Sequence, residues 1–204
     1  TRGIEKKSQA VLVGNPIRDN IAKLTENKYK RPSSKGEINL FITGGSQGAL
    51  VLDKVVPQAI RLLKKDIKNR LKIVEQVRSE NVKQVTRIYE RSGVKKIEIR
   101  TFFKDMPKYL RTSHLYIGRS GASVAEIAAA GIPAVFIPIN FHKDRQQYYN
   151  AKNFENNEAA IIIEQKDFTP NHLAFILEQL LRDSTRLEEM AKNSKSLAII
   201  DAPV

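Results

Sequence analysis

From residue 38 onward the chain alternates between short, nearly all-apolar runs and longer stretches whose apolar residues recur every three or four positions. INLFIT (Ile38–Thr43), LKIVEQ (Leu71–Gln76), HLYIG (His114–Gly118), AVFIPI (Ala134–Ile139) and AAIIIE (Ala159–Glu164) are of the first kind. Short apolar runs bounded by turn residues read as strands buried on both faces. KIEIRTF (Lys96–Phe102) alternates instead, like a strand with one wetter face. Between these runs, Leu50–Lys65 carries Leu52, Val55, Val56, Ala59, Ile60 and Leu63 at helical spacing, and Ser79–Arg91 carries Val82, Val85 and Ile88. Asp105–Arg111 reads as a short helix in which Pro107 fits only the first turn. Pro170 opens a helix running to about Leu181, and Ser184–Ser196 forms a last one. Upstream, residues 1–10 are a polar lead-in to a domain spanning 11–204. VLVGNPIR (Val11–Arg18) is a short strand closed by a Gly-Asn-Pro turn, Asp19–Asn27 a short helix, and Lys28–Glu37 an exposed loop.

Strand and helix in strict alternation predict an α/β fold: a parallel sheet of about six strands with helices on both faces. Right-handed crossovers then bring the loops that follow strands to one rim, where open α/β sheets bind ligands. Five such loops stand out: GNPIR, GGSQGA, FFKDM, RSGAS and FHKDRQQ.

RSGASVAEIAAAGIPAVFIPI (Arg119–Ile139) organises the rest. Its small residues let a backbone approach a ligand, and the next helix aims free N–H groups and its positive end at that ligand. Gly131 stops the helix and Pro133 opens the next strand. Glu126, one turn inside, is either an ordinary solvated carboxylate or a group that accepts both hydroxyls of a ribose. GGSQGA, with Gly44, Gly45 and Gly48, either wraps a phosphate or is a tight strand-to-helix turn; it lacks the Gly-Lys-Ser/Thr ending of a Walker loop. HKDRQQYYNA offers Gln146 and Gln147 at a helix start, where amides suit sugar hydroxyls, and Asp144 as a helix cap.

Composition narrows the chemistry. The chain has 204 residues, no cysteine and 41% hydrophobic residues, so it can bury a full core without disulfides or thiolate metal sites. No apolar run reaches the ~18 residues of a membrane-spanning helix. The three histidines, His114, His142 and His172, are scattered, and no metal or cofactor site is expected; His114 reads as a packing residue. No nucleophile–base pair stands out either, so the loops bind without an evident general base. The net charge of +13 reads as a basic surface or as attraction to phosphate-bearing ligands or anionic lipid, with no motif for nucleic acid. A nicotinamide-dependent oxidoreductase is disfavoured, because no G-x-G-x-x-G opens the first βαβ unit.

GNPIR, TGGSQGA, FFKDM, RSGASVAEIAAAGIPA and HKDRQQYYNA, in this order and spacing, resemble the carboxyl-terminal half of the MurG family of UDP-N-acetylglucosamine transferases, from about Val11 to the end. The resemblance implies a Rossmann-like domain, one half of a GT-B glycosyltransferase, which binds the donor UDP-N-acetylglucosamine. It implies that Arg18 reaches the donor, that Ser46 contacts the diphosphate, and that the backbone at Phe103 reads the uracil edge. Arg119 then lies by the nucleotide, and Ala122 and its neighbours give N–H groups to donor oxygens. Glu126 holds the ribose, and Gln146 and Gln147 hold the sugar. The reaction implied makes lipid II from lipid I at the cytoplasmic face of the bacterial inner membrane. The lipid I-binding domain and the general base are then expected in an amino-terminal half outside this chain, which leaves donor binding without turnover, or a split-enzyme or interaction module. Two departures stand out. The RSGAS loop is one residue shorter before its Glu than the family's pattern, and Glu75-Gln76-Val77-Arg78 replaces the family's His-Gln-x-Gly.

Overall fold

The computed structural model describes residues 23–26, 28–45, 48–139 and 145–199. Six strands form one parallel sheet: β1 (Ile38–Thr43), β2 (Leu71–Gln76), β3 (Lys96–Arg100), β4 (Leu115–Gly118), β5 (Ala134–Phe136) and β6 (Ala160–Ile162). Their order is β3-β2-β1-β4-β5-β6 and every neighbouring pair is parallel. The helices are α1 (Leu50–Leu62), α2 (Lys65–Lys68), α3 (Val82–Glu90), α4 (Met106–Thr112), α5 (Ser123–Ala130), α6 (Gln146–Asn156), α7 (Pro170–Arg182) and α8 (Ser184–Ser196). The predicted strand Val11–Arg18 lies outside the described residues. Within the predicted helix Asp19–Asn27, the described part is a 3-10 turn, Lys23–Glu26.

The period-2 alternation of β1 separates two cores. Ile38, Leu40 and Ile42 face α1, α3 and α7, packing with Leu52, Val85 and Leu177. Phe41 faces the other way, with Tyr116 and Phe136, onto Leu110 of α4, Ile127 of α5 and Phe154 of α6. Edge-to-face ring contacts run across this second face: Phe41–Tyr116 at 6.1 Å, Tyr116–Phe136 at 6.0 Å and Phe136–Phe154 at 5.3 Å. Helices thus cover both faces, as the apolar strands require.

Several predicted boundaries shift for local reasons. The helix expected over Leu50–Lys65 stops at Leu62. Leu63 and Lys64 turn extended, the Lys64 N–H is taken by Glu178 Oε1 (2.6 Å), and α2 then returns Ile67 to the core. β5 ends before Pro138, which has no N–H to give the ladder. β3 is an edge strand and ends at Arg100, leaving Phe102 63% exposed. Gly131 caps α5 in the left-handed conformation (φ 64°), the predicted helix stop. His114 packs as expected: its Nδ1 accepts the Asn39 N–H at 2.8 Å, and burial holds its pKa below the ordinary value.

Candidate functional site

The strand order reverses between β1 and β4. Crossovers leave these two strands toward opposite sides of the sheet and open a crevice at their carboxyl ends. Thr43 and Gly118 are register partners there. A Cβ on Gly118 would stand 2.2 Å from the Thr43 carbonyl and 2.5 Å from the Tyr116 hydroxyl, so the floor of the crevice accepts only glycine. The Tyr116 hydroxyl bonds Thr43 Oγ1 at 2.8 Å, and burial pushes its pKa up.

The first wall is the β1–α1 connection. Gly44 and Gly45 follow Thr43, and the Gly48 N–H closes a turn on the Gly45 carbonyl at 3.0 Å. Gly48 has φ 67°, a conformation that disfavours other residues. Ala49, the N-cap of α1, has no side chain able to satisfy the first N–H groups of that helix. Ser46, the side chain assigned to the diphosphate, lies outside the described residues, as does Arg18.

The second wall is the β4–α5 connection. Ala122 is the N-cap of α5, and it too has no capping side chain. By contrast, α4, α7 and α8 are capped by Asp105, Thr169 and Asp183. Local carbonyls take some of the first N–H groups, Ala49 that of Leu52 (2.9 Å) and Gly121 that of Val124 (3.2 Å). No side chain caps either helix beside the crevice, an arrangement that leaves a helix end able to take an anion. Glu126, half-buried in the first turn of α5, lies close enough to Tyr116 to raise its pKa further.

The third wall is the start of α6. Ser120 donates to the Gln147 carbonyl (2.8 Å), Asn150 donates to the Ser120 carbonyl (3.0 Å), and Gln147 Oε1 accepts the Ile139 N–H (3.2 Å). Gln147 Nε2 stands 3.7 Å from where a Cβ on Gly121 would lie. Glycine loop and amide helix therefore form one unit. Gln146, next to it, is exposed at the rim. Asp144, read from the sequence as a cap of this helix, lies outside the described residues; the N-cap is Arg145 at φ 48°, whose side chain makes no capping bond.

Arg119 sits deeper than a surface ligand group. It is 9% exposed and clamps two strand ends, donating to the Ile137 carbonyl at 2.7 Å and to Gln165 Oε1 at 2.8 Å, while its Nε has no partner. Burial holds its pKa below the ordinary guanidinium value. With Leu50, Val51, Lys54, Ile139 and Gln165 it lines a cleft of about 340 Å³. Phe103, after β3, turns its ring into the core against Phe41 (5.2 Å) and Tyr109 (4.7 Å). A larger hollow, about 620 Å³, lies at the amino end of β6. It is lined by Glu155, Glu158, Asp183 and Glu189 around Arg186, a lining that repels an anionic ligand.

Sequence reading gave no role to a buried polar group behind the first wall. Asp53, in the first turn of α1, accepts from the Arg78 N–H (3.3 Å) and from Asn81 Nδ2 (2.8 Å). Glu75 on β2 accepts from the Tyr89 hydroxyl, and burial pushes its carboxyl up to about 8. Asp53 Oδ1 and Glu75 Oε1 have no partner. A carboxylate directly after the apolar Ile73-Val74 pair of β2 was the available signal.

A model of the Glycosyltransferase family 28 C-terminal domain matches residues 39–202. The chain is 38% identical, over 94% of its length, to the UDP-N-acetylglucosamine--N-acetylmuramyl-(pentapeptide) pyrophosphoryl-undecaprenol N-acetylglucosamine transferase of Caulobacter vibrioides, of which it covers 53%. Its structure resembles Acinetobacter baumannii MurG, with a TM-score of 0.76, 31% identity, and coverage of 85% of this chain and 52% of that one. WaaG, a glycosyltransferase of lipopolysaccharide biosynthesis, shares the fold at a TM-score of 0.66 and 14% identity, over 93% of this chain and 51% of that one. The chain spans about half the length of the curated relatives it matches. With its Rossmann-like sheet, its uncapped helices at the crevice and a match over most of its length, the chain belongs to the glycosyltransferase family 28 C-terminal domain family.

Proposed function

We propose that this chain is the donor-binding half of an inverting transferase that moves N-acetylglucosamine from its UDP conjugate to lipid I, forming lipid II. The observation that carries the reading is the pair of glycine loops at the β1/β4 crevice, each leading into a helix whose N-cap has no capping side chain. A diphosphate between two such helix ends is held by N–H groups and by both dipoles. In this reading Glu126 accepts the ribose hydroxyls, the backbone at Phe103 meets the uracil, and Gln146 and Gln147 bind the sugar. Gly44, Gly45 and Gly48 let the backbone approach the phosphates, with Ser46 and Arg18 beside them.

The acceptor's C4 hydroxyl, giving its proton to the general base, attacks the anomeric carbon from the face opposite the diphosphate, and the bond to UDP breaks. Arg18, the loop N–H groups and the helix ends stabilise the charge that develops on the leaving UDP. Lipid I and the general base are assigned to an amino-terminal domain. A chain of net charge +13 suits the anionic cytoplasmic leaflet of the bacterial inner membrane.

Calorimetric titration with UDP-N-acetylglucosamine, UDP, the galactosamine epimer and NAD tests this. Saturable binding of UDP and its N-acetylglucosamine conjugate, weakened by Glu126→Ala and Gln146→Ala, is expected. Absence of UDP binding, or tighter binding of NAD, would overturn it. Adding lipid I and donor to this chain should yield no lipid II; its appearance would sink the assignment of the base to another domain.

A further inference from the structure

Glu75 to Arg78, one of the two stretches that depart from the resemblance, runs off β2 onto the same rim as the first glycine loop, because β2 is the parallel neighbour of β1. Arg78 is tethered there by its backbone, whose N–H donates to Asp53 Oδ2 at 3.3 Å. Asn81 holds the same oxygen at 2.8 Å. Asp53 is 3% exposed and belongs to the first turn of α1, so these hydrogen bonds tie the β2–α3 connection to the N-terminus of α1.

The Arg78 stem then lies along Gly48: a Cβ there would come within 2.9 Å of Arg78 Cγ. Beyond the stem, the guanidinium pairs with Glu80 at 2.8 Å, with the side chains 42% and 55% exposed. An ion pair that exposed contributes little, and it exchanges readily for a better anion. A guanidinium fork prefers a phosphate, which it can hold through two parallel N–H donors. Glu75, buried three residues earlier on β2, is held protonated by that burial at neutral pH and does not offset the cation.

We propose that Arg78 is a phosphate-contacting residue of this chain, positioned beside the glycine turn at Gly48 by the buried Asp53. This rests on the reading of the crevice as a UDP-sugar site and adds a cation from β2 to it.

The test compares UDP with uridine on the full chain by calorimetry. Arg78→Ala should lower UDP affinity by about tenfold or more and leave uridine affinity within about twofold, since only UDP carries the anion. Arg78→Lys, a point charge without the fork, should fall between. Arg91→Ala, which removes an exposed arginine at the far end of α3, should change neither. Asp53→Ala should reproduce the selective loss for UDP, and Asp53→Asn, which keeps an oxygen acceptor, should restore it. Should Asp53→Ala unfold the chain, the solvent-exposed Arg78 variants still decide. Equal loss of UDP and uridine affinity in Arg78→Ala, or no loss of either, overturns the inference alone. A wild-type chain that binds neither ligand overturns the UDP-site reading and this inference with it.

Discussion

Glu75→Gln isolates one buried proton. Glu75 is fully buried on β2, takes a hydrogen bond from Tyr89 on one oxygen and has no partner on the other. Burial, reinforced by nearby Asp53, raises its pKa in the folded chain from 4.5 to about 8, despite the Tyr89 bond. Below pH 4.5 the group is protonated in both folded and unfolded chains and contributes no pH dependence. Between pH 4.5 and about 8 the unfolded chain ionises while the folded chain keeps its proton. Stability therefore falls with rising pH, by about 1.4 kcal/mol per pH unit from this group. From pH 5 to pH 7 that loss is about 2–3 kcal/mol. Glutamine keeps the shape and an oxygen for Tyr89 and has no proton to hold. Urea denaturation of both proteins at pH 5, 6 and 7 should show the variant gaining on the wild type by that amount across the range. Any fixed packing cost of the amide cancels in the comparison between pH values. Parallel stability–pH curves for the two proteins would refute the reasoning, because they would mean that Glu75 is ionised in the folded chain.

Gly118→Ala should lower stability by about 1–3 kcal/mol, since its methyl would strike the Thr43 carbonyl and the Tyr116 hydroxyl; a wild-type melting temperature would show that the crevice floor yields. Glu126→Ala should lower UDP affinity by about tenfold and abolish discrimination between UDP and 2′-deoxy-UDP, and discrimination left intact would sink the ribose role.

Much of the fold is legible because strands buried on both faces must be nearly all apolar, and these are. Ile38–Thr43 and Leu71–Gln76 form strands with the boundaries the pattern gives, and Gly131 ends its helix as read. Less legible were ends fixed by single backbone groups: the missing N–H of Pro138, or the capture of the Lys64 N–H by Glu178, a residue 114 positions away. The site is legible in part. Its glycine loops and amide pair are local signals. The inward turn of Arg119 is not, because its acceptors, Ile137 and Gln165, belong to other strand ends. Nor is the burial of Asp53, which as an acid in the first turn of a helix would ordinarily face water.

The sequence by itself determined the alternation of strands and helices, the parallel sheet, and the composition of each loop on the rim. These follow from periodicity and from local backbone preference, which act over a few residues. Only the tertiary structure decided that β4 lies beside β1, so that Thr43 and Gly118 meet and two glycine loops distant in sequence face one crevice. It also decided that β2 brings Arg78 to Gly48, and that Ser120, Gln147 and Asn150 join the second loop to α6. Strand pairing and buried hydrogen bonds couple residues far apart in the chain, and their partners are set by which surfaces pack together, which no local pattern encodes.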